Sequence, residues 1–203
     1  LSDLYEQPKT NAIQAIFLYP LNALMEDQKS RLANFCEKTD LKFAVYNGNT
    51  PDFKESGADG EHSPNEVVTR ELIRDNKGNG TRPQILLSNP SMLEYILVRK
   101  SDQKMLQESA GKLRWIIIDE AHSYSGSAAV ELAYQIKRIL DAFNVQANKV
   151  RFACTSATIG GQEGVESLID YISRVTGQDK SQIAVIDGER LVPTIDRNDL
   201  ENA

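Results

Sequence analysis

The sequence predicts an α/β fold with a mostly parallel sheet. Short apolar runs alternate along the chain with segments whose apolar residues recur at helical spacing. The run at Trp115–Ile118 has four large apolar residues without alternation, which indicates a strand buried on both faces, as in a parallel sheet covered by helices. The chain has 203 residues and is 40% hydrophobic, which fits a single domain, 1–203, with a real core.

The apolar pattern predicts the elements in order. Strands are expected at residues 12–19, 42–46, 84–88, 115–118, 150–155 and 183–186. Helices are expected at residues 21–35, 65–75, 92–99, 104–110, 128–143 and 165–175, and residues 1–9 resemble the tail of another helix. Pro20 should end the first strand because proline cannot donate to a ladder. Residues 50–64 and 76–83 contain turn residues and are expected to be surface connections.

Composition excludes several classes of protein. Cys36 and Cys154 are the only cysteines, so a disulfide framework or a zinc site is not expected, and we expect a reducing cytoplasm. No apolar run approaches the roughly 20 residues of a membrane span, so we expect no membrane partner. The net charge of −6 counts against a broad basic face for nucleic acid. It permits binding through backbone amides and helix N-termini.

Two carboxylates, Asp119 and Glu120, follow the strand at Trp115–Ile118. Ligands of parallel sheets bind at the carboxyl ends of the strands. One carboxylate can hold a hydrated Mg²⁺ and a second can orient an attacking water. For these two residues alone, capping of the next helix is the simpler interpretation. The whole string IIIDEAH, residues 116–122, resembles the Walker B element, motif II, of the DEAD/DEAH-box helicases of superfamily 2.

Four further strings extend this resemblance. YPLNALMEDQ at 19–28 resembles motif Ia, SNPSMLEY at 88–95 resembles motif Ib, and TSAT at 155–158 resembles motif III. YNGNTP at 46–51 resembles a turn that contacts the strand in relatives directed to DNA. Read singly, each string is an ordinary turn or helix cap. Their order, and their place after successive strands, makes the resemblance specific.

The resemblance implies the first RecA-like domain of an ATP-dependent helicase or translocase, in the style of large bacterial proteins of DNA repair and defence. It implies ATP and Mg²⁺ as cofactors, with Asp119 holding Mg²⁺ through water and Glu120 orienting the attacking water. His122, Ser156 and Thr158 would couple hydrolysis to motion. The residues implied to bind nucleic acid are Pro20, Leu21, Asn22, Ala23, Gln28, Gly48, Asn49, Thr50, Asn89, Pro90 and Ser91. Ser88 replaces a threonine of the family and keeps a hydroxyl for a phosphate.

The main departure from the family pattern is the lack of a phosphate-binding loop. The sequence contains no G-x-x-x-x-G-K-S/T loop, so we expect an incomplete RecA-like three-layer sandwich without the P-loop strand. We therefore expect the isolated chain to be inactive, with the P-loop segment and a second RecA-like domain as partners. The free sheet edge next to the TSAT strand could also promote self-association. Single- or double-stranded nucleic acid is the expected substrate, with DNA favoured. An RNA helicase and a non-catalytic RecA-like binding or scaffold module remain the alternatives.

Overall fold

The computed structural model describes residue 4 and residues 10–53, 62–75, 82–156 and 161–186. Its centre is a five-stranded sheet with the strand order β2-β3-β1-β4-β5. The strands are β1 (Ala15–Leu18), β2 (Phe43–Val45), β3 (Ile85–Ser88), β4 (Trp115–Ile118) and β5 (Arg151–Cys154). All four ladders are parallel. The prediction of a RecA-like α/β fold with a mostly parallel sheet is confirmed.

Among the described residues, six complete α-helices connect and cover the strands. They are α1 (Asn22–Glu37), α2 (Arg70–Asp75), α3 (Pro90–Val98), α4 (Gln103–Glu108), α5 (Ser127–Ala142) and α6 (Gly161–Thr176). Parallel neighbours need crossover connections, and these helices supply them. None of the described helices is long and apolar enough to span a membrane.

The two faces of the sheet carry separate cores because successive side chains of a strand point to opposite faces. Ile16, Leu86 and Ile116 belong to the larger core, which they share with apolar residues of α2 to α6. Ala15 and Leu87 belong to the smaller core, which is formed against α1. The apolar residues that α1 contributes are Met25, Leu32 and Cys36. The result is a three-layer arrangement in which α1 and the buried Leu4 lie on one side and the other described helices on the opposite side.

Burial decreases from the centre of the sheet toward β5. All four residues of β3 are buried, whereas in β4 Trp115 and Ile117 are only half-buried. Within the described residues β5 pairs with β4 alone, and none of its residues is fully buried. The side of β4 and β5 away from the larger core is therefore only partly covered by the described chain.

Two predicted elements are wrong. Helix α2 begins only at Arg70, because residues 65–67 extend beside β2: Phe43 N donates to Asn65 O at 3.0 Å and Val67 N to Phe43 O at 2.8 Å. The apolar run at 183–186 is not a strand; it follows a 3₁₀ turn at Lys180–Gln182, and Ile186 is 93% exposed. The helix tail expected at residues 1–9 lies outside the described residues except for Leu4.

Candidate functional site

The carboxyl edge of the sheet brings the predicted segments together. Each predicted segment follows the carboxyl end of a strand, so the segments lie at the same edge. Backbone hydrogen bonds join neighbouring segments where the strands end. Tyr19 N donates to Ser88 O at 3.0 Å, and Asp119 N donates to Leu18 O at 2.9 Å. Thr155 N donates to Ile118 O at 3.0 Å. The edge therefore has a carboxylate half at β4 and β5 and a turn-rich half at β2, β3 and β1.

The two carboxylates lie in a tight turn that Thr155 closes. Glu120 has a left-handed backbone (φ 49°, ψ 47°), which is costly for a residue with a side chain. The Thr155 hydroxyl donates to Asp119 Oδ1 at 2.5 Å and accepts from Glu120 N at 3.0 Å. Ala121 N donates to Thr155 O at 2.8 Å. One threonine therefore fixes both the Asp119 carboxylate and the backbone of the turn.

The sequence prediction did not assign a role to Thr155, although it is the first residue of the TSAT string. The residues chosen instead lie nearby. His122 Nδ1 is 3.2 Å from Glu120 Oε2. Ser156 is half-buried and lines, with His122, a cavity of about 910 Å³ between α5 and α6. Thr158 lies outside the described residues.

Helix α6 also contacts the carboxylate turn. The Tyr171 hydroxyl donates to Ala121 O at 2.9 Å. Burial raises the pKa of Tyr171 to about 12, so the phenol stays protonated and keeps its donor at neutral pH. The turn that carries Asp119 and Glu120 is therefore held from β5 on one side and from α6 on the other.

Two tyrosines near Asp119 stay uncharged at neutral pH. Burial raises the pKa of Tyr19 and Tyr124 to about 12, and the negative charge of Asp119 adds to the effect.

The described residues contain no group of three or more His, Cys, Asp or Glu side chains that could hold a metal ion. Mg²⁺ keeps several waters and needs only one or two carboxylates beside phosphate oxygens. A single carboxylate at the carboxyl end of β4 fits a hydrated Mg²⁺.

The N-terminus of α1 is open. Leu21 is its N-cap residue, with an extended backbone and no side-chain hydrogen bond to the first turn. Leu21, Asn22 and Ala23 are exposed, and Pro20 before them is half-buried. Unpaired N–H groups of a first helical turn, together with the helix dipole, attract anions. Gln28 lies further along α1, where its side chain donates to Asp27 at 3.4 Å.

The N-terminus of α3 is capped and joined to that of α1. Asn89 Oδ1 accepts from Met92 N at 2.7 Å, and Asn89 Nδ2 donates to Asn22 Oδ1 at 2.8 Å. Pro90 follows at the first helical position, and Ser91 is exposed. The expected phosphate contact of Ser88 is wrong, because Ser88 is fully buried and its hydroxyl donates to the Tyr46 carbonyl at 2.7 Å.

The turn after β2 presents two of its three predicted residues. Gly48 and Asn49 are exposed, and a Cβ added at Gly48 would meet nothing within 4 Å. Thr50 is 8% exposed and closes the turn: its hydroxyl donates to Val45 O at 2.9 Å and accepts from Asn47 N at 2.9 Å. Gly48 therefore leaves open backbone at the surface, as a close phosphate contact would require.

An arginine that sequence reasoning missed supports this turn. Arg70, from the start of α2, donates through Nη2 to Gly48 O at 3.0 Å and to Asn47 O at 3.2 Å. Its side chain also lies 3.5 Å from the Asp52 carboxylate. Arg70 therefore fixes the two carbonyls of the turn on the inner side. The Asn49 N–H is also held within the turn, because it donates to Asn47 Oδ1 at 2.9 Å.

Comparison with known proteins gives consistent results. The family model described as DEAD/DEAH box helicase matches residues 1–166. The uncharacterized ATP-dependent helicase YprA of Bacillus subtilis (strain 168) is 31% identical over 154 residues, which are 75% of this chain and 17% of YprA. The Druantia protein DruE of Escherichia coli (strain UMEA 4076-1) is 26% identical over 138 residues, which are 64% of this chain and 8% of DruE.

A solved structure shows the same fold. The crystal structure of the DUF1998 helicase MrfA matches with a TM-score of 0.55 and 25% identity, covering 82% of this chain and 22% of MrfA. MrfA was also solved bound to DNA and AMPPNP, and that structure matches with a TM-score of 0.54 and 24% identity, covering 82% of this chain and 20% of the other. The chain spans less than a quarter of the length of each of these proteins.

Proposed function

The chain belongs to the DEAD/DEAH box helicase family, and on that basis we propose that it is part of the motor of an ATP-dependent nucleic-acid helicase or translocase. The observation that carries the proposal is the arrangement at the carboxyl ends of β4 and β5. There Thr155 holds the Asp119 carboxylate and the backbone of Glu120 together. A binding or scaffold module needs neither two adjacent carboxylates nor a left-handed backbone at the second of them.

The proposed chemistry is hydrolysis of ATP with Mg²⁺. When bound, the nucleotide and its cation supply the phosphoryl group and neutralise the charge that develops on it. Asp119 would hold the cation through water, oriented by the Thr155 hydroxyl. Glu120 would orient the attacking water. Its carboxylate is partly exposed, as contact with a water requires.

The turn-rich half of the edge is the proposed path of a nucleic-acid strand. The same edge carries the open amides at the N-terminus of α1, the exposed Gly48 and the exposed Ser91. Contacts of this kind bind phosphates without reading sequence. They also suit a chain with a net charge of −6, because backbone amides need no surplus of basic side chains.

Activity should require more of the protein than this chain. The sequence has no loop that could cradle the β and γ phosphates and no second RecA-like domain. We propose that those parts are supplied by the remainder of a longer protein. The isolated chain should therefore neither turn over ATP nor unwind a duplex.

DNA is the favoured substrate because the strings at 19–28 and 88–95 resemble those of helicases directed to DNA. The test is ATP turnover by the full-length protein with single-stranded DNA or RNA of equal length and sequence. We expect strong stimulation by DNA and weak stimulation by RNA. Equal or reversed stimulation would replace DNA by RNA as the substrate, and no nucleotide turnover under any condition would favour the scaffold alternative.

A further inference from the structure

Helices α3 and α5 are joined by a buried glutamine that none of the predicted motifs contains. We propose that Gln135 is a positioning residue that couples the carboxylate turn to the nucleic-acid turn at residues 89–91. The inference rests on the proposed function, because it assigns a connection between the two halves of that site. Gln135 itself lies outside both halves, 15 positions after Glu120 in the chain.

The contact itself is well defined. Gln135 lies on the buried side of α5 and is 4% exposed. Its Nε2 donates to Pro90 O at 2.7 Å and to Glu94 Oε1 at 2.9 Å. The other oxygen of Glu94 pairs with Arg138, one turn further along α5. Two side chains of α5 therefore hold the first turns of α3.

The orientation of the amide is fixed by its partners. The Pro90 carbonyl and the Glu94 carboxylate can only accept hydrogen bonds, so the NH₂ group must face them. The Gln135 oxygen has no hydrogen-bond partner within the described residues. One NH₂ group therefore donates both hydrogen bonds, to Pro90 O and to Glu94, and neither a carboxylate nor an apolar side chain can replace it.

This contact is connected to the nucleotide half through the length of α5 before Gln135, and to the nucleic-acid half through Pro90. On the nucleotide side, the turn Ala121–Ser123 is separated from Ser127, the first residue of α5, by only three residues. Ala121 is itself bonded to Thr155 and Tyr171. On the nucleic-acid side, the capping residue before Pro90 is Asn89.

The nucleic-acid side extends one step further. Asn89 donates to Asn22 at the N-terminus of α1, so the contact of Gln135 reaches both helix N-termini in the proposed strand path. A displacement of α5 caused by nucleotide would carry Pro90 with it. Coupling between two ligands is reciprocal, so the same contact should let nucleic acid affect nucleotide affinity.

The experiment compares Gln135→Leu with wild type in the full-length protein. The affinity for single-stranded DNA is measured with and without a non-hydrolysable ATP analogue, and the ratio of the two affinities is the readout. We expect the ratio to move toward one by about tenfold in the variant, since two hydrogen bonds are lost. Glu131→Gln, at an exposed position of the same helix, is the matched control and should keep the wild-type ratio.

A second pair of variants separates coupling from folding. Gln135→Glu removes the donor to Pro90 O, places a carboxylate against Glu94, and should also abolish the difference. Gln135→Lys keeps a donor for Pro90 O and Glu94 and should retain the difference in part. If Gln135→Leu fails to fold, this pair decides the question. A wild-type ratio in Gln135→Leu, or equal loss in Gln135→Glu and Gln135→Lys, would overturn the inference. If wild type itself binds no nucleic acid, the proposed function fails instead.

Discussion

Removal of the Thr155 hydroxyl tests the carboxylate turn directly. Thr155→Val keeps the shape of the side chain but loses the donor to Asp119 Oδ1 and the acceptor for Glu120 N. A hydrogen bond to an ionised group contributes about 1.5–3 kcal/mol. Thr155 is exposed, so water can replace part of that contribution and the lower end of the range applies. We therefore expect the activation free energy of ATP turnover to rise by about 1.5 kcal/mol, which lowers the rate about tenfold.

The assay is steady-state ATP turnover by the full-length protein with saturating single-stranded DNA, measured over a series of Mg²⁺ concentrations. In Thr155→Val the maximal rate should fall and more Mg²⁺ should be needed for half-maximal activity, because Asp119 is no longer oriented. Thr155→Ser keeps the hydroxyl and serves as the control. The free energy of unfolding should fall by no more than about 1.5 kcal/mol, the contribution of the same hydrogen bonds.

Two results would contradict the proposed role of the Thr155 hydroxyl. One is wild-type turnover and Mg²⁺ dependence in Thr155→Val. The other is an equal loss in Thr155→Ser, since that variant retains both hydrogen bonds.

The remaining predictions concern binding, stability and association. Gly48→Ala should leave the free energy of unfolding unchanged, because nothing lies within 4 Å of the new Cβ. It should weaken binding of single-stranded DNA in a fluorescence titration. Gly111→Ala, at φ +72°, should instead cost about 1 kcal/mol of stability without affecting binding. Asp102→Asn should cost about 3 kcal/mol in urea denaturation, because Asp102 is a fully buried carboxylate paired with an arginine and a tyrosine hydroxyl. Burial raises the pKa of the Cys36 and Cys154 thiols to about 12, above the ordinary thiol value of 9 that applies in the unfolded chain. The unfolded chain therefore ionises these thiols first, and the free energy of unfolding in urea should fall as the pH rises from 9 to 12. The stability that the neutral thiols give is fully present at pH 7. The isolated chain should self-associate in sedimentation velocity through the β5 edge, and a monodisperse monomer at high concentration would contradict this.

The five strands of the sheet could be predicted from the sequence because each is a short apolar run followed by turn residues. The same signal failed at 183–186, where an equally apolar run lies outside the sheet. It also failed at Asn65, where a polar start signal suggested a helix. There the backbone of Phe43 pairs with residues 65–67 instead, a contact between distant residues that local pattern does not encode.

The candidate site could be predicted to the level of its turns but not of its contacts. That Asp119, Glu120 and the helix N-termini lie at one edge of the sheet follows from polar residues after buried strands, whereas the roles expected of them come from the family resemblance. The roles of Thr155, Ser88 and Gln135 depend on hydrogen bonds to residues 36, 42 and 45 positions away. Such distances are set by strand order and helix packing, so only the folded structure gives them.

Glu120 is proposed to orient the water that attacks ATP. The most direct test is single-turnover ATP hydrolysis by the full-length protein carrying Glu120→Gln, with binding of the nucleotide and of single-stranded DNA measured in parallel. We expect hydrolysis to fall by about 100-fold or more while both affinities stay near wild type, because the amide keeps the size of the side chain but cannot act as a base. Hydrolysis at the wild-type rate in this variant would contradict the account.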